Sequence, residues 1–182
     1  MHNISVELMG QAIAEFVPAA ARVLDVGSRS MNGPDRDGSY RAATCGRLYV
    51  GADIADGPNV DVVMPDPYTL PFEDGEFGAV ISGQTLEHCR EPYRLVREMA
   101  RVLAPGGHMI LIAPSSGPIH DAPMDYWRIM PDGMRALGEE AGLEVIEIGR
   151  AERVYDAEIE QGRWSASAPL WYDVRGIMRR PA

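Results

Sequence analysis

The chain has 182 residues, 46% of them hydrophobic, which suits a single compact domain spanning 1–182 with a full core. Its formal charge of −10, with scattered arginines, argues against nucleic acid or an anionic membrane as partner; no lysine is present among the 17 basic residues, which excludes P-loop, Schiff-base and general-base lysine chemistry. The sequence shows neither a charged-and-apolar leader nor an apolar run of about 18 residues, and Cys45 and Cys89 lack metal-ligand spacing, so a soluble, cytoplasmic protein with reduced thiols is expected.

A lead-in helix is predicted within 1–20: Val6, Met9, Ile13 and Phe16 recur at helical spacing behind Ser5 as N-cap, and Pro18 ends the pattern. The apolar run VLDV makes a first strand over 22–27, stopping near Ser28 in a loop of Gly, Ser, Asn and Asp. A short helix follows around 39–45, then strands at 48–54, 60–64 and 77–82. The clearest helix covers 91–103, with Pro92 in its first turn and Leu95, Val96, Met99, Val102 and Leu103 along one stripe; Pro105, Gly106 and Gly107 stop it. The continuous apolar run 108–113 reads as a central strand covered on both faces. Pro131 opens a helix that turns Met134, Leu137 and Ala141 inward and ends at Gly142, and a strand follows over 143–148. In the tail, 150–182, a polar loop over 154–168 precedes a last strand at 174–178, antiparallel at or near the sheet edge. Strands alternating with helices imply an α/β fold, a mostly parallel, doubly wound sheet.

In such sheets ligands bind beyond the C-terminal ends of the strands, and the polar residues fall there. Asp25, Gly27 and Ser28 close the first strand, Asp53 closes the second, Asp66 follows the third, residues 82–88 follow the fourth and 114–128 follow the fifth. A carboxylate at the position of Asp53 can accept bonds from both ribose hydroxyls, in dinucleotide and sulfonium-nucleoside pockets alike. The loop after the first strand separates the two: a pyrophosphate requires G-x-G-x-x-G, and GSRSMNG offers only Gly27 and Gly33. A nicotinamide cofactor is thereby disfavoured.

The segments VLDVGS, YVGADI, DPYTLPF, ISGQTLEH, REMARVLAPGGHMILIAP and DYWRIMPDGMRALGEEAGL, between about residues 22 and 149, resemble the class I S-adenosylmethionine-dependent methyltransferases. They are most similar to the small members with a D-x-x-x-LPF segment, an LEH triplet and a VLxPGG turn. That resemblance implies a Rossmann-like sheet of seven strands in the order 3-2-1-4-5-7-6, the last antiparallel, and S-adenosyl-L-methionine as cofactor. It implies that Asp25, Gly27 and Ser28 meet the methionine part, Asp53 the ribose hydroxyls, Asp66 the adenine amino group and Pro67 the adenine face, with Ile54 and Gly83 completing the set. The first loop departs from the family's D-x-G-x-G-x-G, and the short N-terminal helix leaves the acceptor pocket either open or completed by a second copy or a partner protein. The implied acceptor is a small molecule, natural-product or sugar-like, methylated at oxygen or nitrogen.

For the chemistry, His120 is the leading candidate base, in a Gly/Pro-rich loop beside Asp125, Tyr126 and Arg128, the candidate substrate contacts; His88 is the second. Each has an alternative: an exposed loop histidine at His120, a helix cap or cofactor contact at His88. Asp25 can equally be a turn residue whose carboxylate bonds nearby backbone N–H groups; Asp66 taken alone reads as a turn former within PDP, and the LPF register tips it toward adenine. His108 reads as structural and Trp127 as a packing anchor, while Trp164, Trp171 and Tyr172 are surface-packing residues or a subunit or substrate contact. The spacing of His120, Asp121 and Asp125 matches no metal signature, so no metal is expected. The rival functions are a catalytically weak scaffold or partner subunit that keeps the cofactor fold, a nicotinamide oxidoreductase, and an enzyme that uses the same cofactor for another group transfer or cyclisation.

Overall fold

A computed structural model describes residues 3–30, 39–120, 124–150 and 172–182. The expected loop at 154–168 and the residues His2, Gly33, Asp121, Trp164 and Trp171 lie outside these. The described residues form a seven-stranded sheet in the order β3-β2-β1-β4-β5-β7-β6, the order expected. The strands are β1 (Arg22–Val26), β2 (Leu48–Asp53), β3 (Val62–Val63), β4 (Phe77–Gly83), β5 (Leu103–Pro114), β6 (Glu144–Arg150) and β7 (Asp173–Arg179). The first five run parallel to one another, and β7 is antiparallel to both β5 and β6.

Two cores flank the sheet, because successive strand residues point to opposite faces. In β5, Met109, Leu111 and Ala113 join one core while Ile110 and Ile112 join the other. The first core is closed by α3 (Pro92–Val102), through Leu95, Val96 and Met99, and by Met134 of α4 (Pro131–Glu140). The second is closed by Met9, Ala12 and Ile13 of α1 (Asn3–Phe16) and by Tyr40, at the start of α2 (Tyr40–Ala43). Apolar cover on both faces is why β5 reads as an unbroken hydrophobic run rather than an alternation.

Arginines supply the helix ends that the sequence leaves open. Arg47 donates to the carbonyls of Ile13 and Val17 where α1 stops, and Arg180 donates to those of Ala100, Arg101 and Leu103 where α3 stops.

Two local expectations are corrected. Ser5 is not an N-cap: α1 starts at Asn3, and the buried Ser5 hydroxyl pairs instead with the Tyr40 hydroxyl at 2.6 Å. The segment Pro105–Gly106–Gly107 does not separate α3 from the next strand. It lies inside β5, where Gly106 N–H donates to the Arg180 carbonyl and Arg180 N–H to the Gly107 carbonyl, so the ladder continues through it. The third strand is also shorter than expected, only Val62–Val63 at the sheet edge.

Glycine Gly83 closes β4 against the fully buried phenol of Tyr40, and a Cβ built there overlaps the ring. Gly83→Ala is expected to destabilise the protein by about 1–3 kcal/mol through overpacking. Gly10→Ala, in α1, meets only Ala43 Cβ at 3.6 Å and is expected to stabilise by about 0.5–1 kcal/mol. Paired chemical denaturation of the two variants checks both signs.

Candidate functional site

The tips of β1 and β2 are stitched together by backbone. Gly27, at φ 80°, and Ser28 both donate N–H to the Ala52 carbonyl, and the Ser28 hydroxyl reaches the Asn59 carbonyl at 3.2 Å. A side chain at Gly27 would strike Thr85, so this turn requires glycine for space as well as for φ. Asp53, at the end of β2, accepts from Arg29 N–H through Oδ2 and from Ala55 N–H through Oδ1, each at 3.1 Å. These bonds fix the orientation of the carboxylate. Each oxygen keeps a second lone pair for a hydroxyl donor.

Asp25 is buried at 1% exposure. Its Oδ2 accepts the Tyr49 hydroxyl at 2.6 Å, and Oδ1 has no hydrogen-bond partner among the described residues. Burial pushes its pKa up to about 7; the Tyr49 bond opposes this and the nearby Asp53 charge adds to it. The Arg41 guanidinium lies 4.2 Å over the Tyr49 ring and is itself paired with Asp61. The alternative of Asp25 as a turn residue bonded by loop N–H groups is not what the geometry shows.

The tips of β4, β5 and β7 bring in further carboxylates. Gln84, at φ 57°, donates from Nε2 to Asp173 Oδ2 at 2.9 Å. Asp173 opens β7 opposite Pro114 and is fully buried, and desolvation raises its pKa. Glu87 lies in a 3-10 turn, Leu86–His88, and is also fully buried, with neither carboxylate oxygen bonded among the described residues; desolvation pushes it up to about 8. Asp25, Asp173 and Glu87 all act electrostatically on the Tyr40 hydroxyl, and Glu87 and Asp53 both act on Cys89. Four carboxylates thus share one end of the sheet, and burial raises the pKa of three of them, Asp25, Glu87 and Asp173.

His88 and His120 meet there edge to face, with ring centroids 4.9 Å apart. His88 Nδ1 is 2.6 Å from the Met124 carbonyl and its Nε2 is 3.7 Å from Glu87 Oε1. His120 is held from behind: its N–H donates to Asp125 Oδ2 at 2.9 Å, and Nδ1 lies 3.4 Å from the same oxygen. Desolvation lowers the pKa of His120, with Asp125 opposing, so the ring is neutral at pH 7.

The other expected site residues are placed less favourably. Asp125 and Arg128 form a two-toothed ion pair at 2.6 and 2.8 Å, and Arg128 also donates to the carbonyls of Gly117, Pro118 and Trp127. Both brace the His120 loop. Tyr126 is partly exposed, and its N–H donates to the Glu87 carbonyl, as does that of Trp127, whose indole reaches the Cys89 carbonyl. Asp66 folds back on its own turn: its carboxylate takes the Thr69 hydroxyl and the Tyr68 N–H, which hold its pKa below the usual range. The turn-former alternative describes the geometry of Asp66; Pro67, next in the chain, and Ile54, just after β2, are both exposed.

Two shallow depressions, of about 360 and 380 Å³, lie at the opposite end of the sheet, one between Arg97, Arg101 and Leu143, the other between Pro18, Gly78 and His108. Neither contains a carboxylate, and neither touches the strand tips. The chemistry belongs to the tips.

Residues 38–111 match the family model described as methyltransferase domain. A methyltransferase of Mycobacterium sp. (strain KMS) is 37% identical over 112 residues, covering 56% of this chain and 42% of that protein. The demethylmenaquinone methyltransferase of Renibacterium salmoninarum is 32% identical over 114 residues, covering 58% and 47%. The chain therefore spans less than half the length of these relatives. Among solved structures, the 1,6-didemethyltoxoflavin-N1-methyltransferase of Burkholderia thailandensis, with its acceptor and S-adenosylhomocysteine bound, superposes with a TM-score of 0.69 at 16% identity, covering 98% of this chain and 79% of that one. Residues 38–111 thus resemble a methyltransferase domain, and the sheet has the fold of the Burkholderia enzyme.

Within this fold the structure brings together Asp25, Gly27, Ser28, Asp53, Gly83, His88 and His120 around the tips of β1, β2, β4 and β5. Sequence reasoning missed Tyr49, Gln84, Glu87 and Asp173. Glu87 had a signal, since the LEH triplet was singled out, but the acidic residue in its middle was given no role.

Proposed function

We propose that the chain is an S-adenosylmethionine-dependent methyltransferase acting on a small-molecule acceptor, natural-product or sugar-like, at oxygen or nitrogen. The observation that carries this reading is Asp53, oriented by two backbone N–H bonds at the end of β2 and flanked by the buried carboxylate of Asp25. Asp53 takes the ribose diol, the turn at Gly27 and Ser28 receives the methionine part, and the carboxylates favour a cationic sulfonium over a neutral thioether. Asp66 meets the adenine amino group only after its bond to Thr69 opens. The small-molecule acceptor is supported by the toxoflavin-type acceptor in the similar Burkholderia structure. Among the described residues no helix is long and apolar enough to cross a membrane, in keeping with a cytoplasmic setting.

Methyl transfer is an in-line displacement. The acceptor lone pair forms a bond to the methyl carbon, the carbon–sulfur bond breaks, and its electrons neutralise the sulfonium. Collinear positioning supplies the main part of the acceleration, with about 7–11 kcal/mol as its upper range. With a hydroxyl acceptor the proton passes to the neutral ring of His120. His120→Ala should then slow turnover roughly 10²-fold, the low end for a general base because His88 lies beside it. It should also remove the acid limb of the pH–rate profile, which lies below pH 6.5 because the His120 pKa is lowered. An unchanged profile removes His120 from this role.

Calorimetric titration with S-adenosylmethionine, S-adenosylhomocysteine and NADH tests the reading as a whole. Saturable 1:1 binding of the first two and none of the third is expected. Indifference to both adenosyl ligands would refute the assignment.

A further inference from the structure

We propose that Glu87, His88 and His120 form a binding site for one divalent transition-metal ion such as zinc. A carboxylate oxygen of Glu87 and one ring nitrogen from each histidine all lie within 4.8 Å of one another. Ligands about 2.0–2.1 Å from a tetrahedral zinc stand about 3.3–3.4 Å apart, so modest side-chain rotations bring these atoms to coordinating distance.

Two independent features make this more than a cluster of polar groups. Glu87 is fully buried, yet neither oxygen has a hydrogen-bond partner among the described residues, and Oε1 lies 3.7 Å from His88 Nε2. A buried carboxylate with no partner is costly as an anion, and a cation between it and the imidazoles removes that cost. His88 is also set up as a ligand. Its Nδ1 donates to the Met124 carbonyl at 2.6 Å, which fixes the tautomer with the Nε2 lone pair facing Glu87. Behind His120, Asp125 lies 3.4 Å from Nδ1, and Arg128 clamps Asp125. A carboxylate behind a ligating imidazole is the usual outer support of a metal-bound histidine.

Two imidazoles and one carboxylate suit zinc or a neighbouring first-row ion over magnesium or calcium, which favour all-oxygen sites. Three protein ligands leave one position open, as in catalytic zinc sites. This part rests on the methyl-transfer reading: the open position would take an acceptor oxygen. An acceptor hydroxyl bound there loses its proton to solvent, and its oxygen then attacks the methyl carbon as the carbon–sulfur bond breaks. In the metal-loaded protein both imidazoles are ligands, and His120 no longer takes the proton.

The test uses the full chain stripped with chelator and titrated calorimetrically with zinc chloride, and in parallel with cobalt(II) followed by absorption. One equivalent should bind, with cobalt ligand-field bands and no thiolate charge-transfer band. Glu87→Gln, His88→Ala and His120→Ala should each weaken zinc at least tenfold, while Cys45→Ser and Cys89→Ser leave it unchanged. Glu87→Gln is nearly isosteric, and the wild-type cobalt spectrum requires no variant at all. Absence of a wild-type site, a thiolate band, or zinc binding that survives both Glu87→Gln and His88→Ala overturns the proposal. S-adenosylmethionine binding measured in excess chelator reports on the cofactor reading separately.

Discussion

Asp53→Ala is expected to lower affinity for S-adenosylmethionine by about 10²–10⁴-fold while leaving the sheet folded. The carboxylate is held by Arg29 and Ala55 N–H groups at the end of β2, so its free lone pairs are aimed before any ligand arrives. A ribose diol offers two hydroxyl donors. Hydrogen bonds to a charged acceptor contribute about 1.5–3 kcal/mol each, or about 3–6 kcal/mol together, which corresponds to that range. Asp53→Asn keeps an acceptor for one hydroxyl and should fall between wild type and alanine. S-adenosylhomocysteine shares the ribose and should lose affinity in parallel; calorimetry with both ligands measures this. If only the methylated ligand responds, Asp53 acts on the sulfonium charge and not on the diol.

The second large effect is on stability against pH. Asp25 has its pKa raised by burial to about 7 from an unfolded value of 3.8. Between those values the folded chain keeps a proton that the unfolded chain has lost. The contribution of Asp25 is therefore fully present below about pH 4 and falls as pH rises, by up to about 1.4 kcal/mol per pH unit, levelling above about 7. Asp173, raised in the same direction, adds to the slope, and Glu87, raised from 4.5 to about 8, adds to it and carries it on to about pH 8. Asp125, held well below the usual range by Arg128, titrates under pH 4 and does not enter this window. Denaturation of ligand-free, chelator-treated protein at pH 5, 6, 7 and 8 should show the fall. Asp25→Asn, which preserves the Tyr49 bond, should lessen the fall below about pH 7 and leave the share of Glu87 and Asp173. A wild-type slope that rises with pH, or one that Asp25→Asn leaves intact, contradicts the assignment.

Much of the fold was legible because the relevant signals are local. The apolar stripe of α3 and the unbroken run of β5 report directly on which faces are buried, and Asp25 and Asp53 follow from strands whose ends are marked by polar residues. Partnerships across the chain were not legible. Gln84 meets Asp173 although 89 positions separate them, because the antiparallel course of β7 returns its first residue to the tip of β5. Ser5 pairs with Tyr40 for the same kind of reason, through α1 and α2 packing on one face. Asp66 shows the converse. Its family register pointed to adenine, while the local PDP turn chemistry sets the conformation of the ligand-free chain. Glu87 was hidden because a glutamate in a polar loop reads as solvated, and only the packing around the Leu86–His88 turn buries it.

The central claim is that an adenosyl sulfonium binds at the tips of β1, β2 and β4 through its ribose. The most direct measurement is a crystal structure of the chain grown with saturating S-adenosylhomocysteine. The expected result is a nucleoside over the Gly27–Ser28 turn, with both ribose hydroxyls within hydrogen-bond distance of Asp53. A nucleoside seated at the opposite end of the sheet, or strand tips that stay empty at saturation, would contradict it.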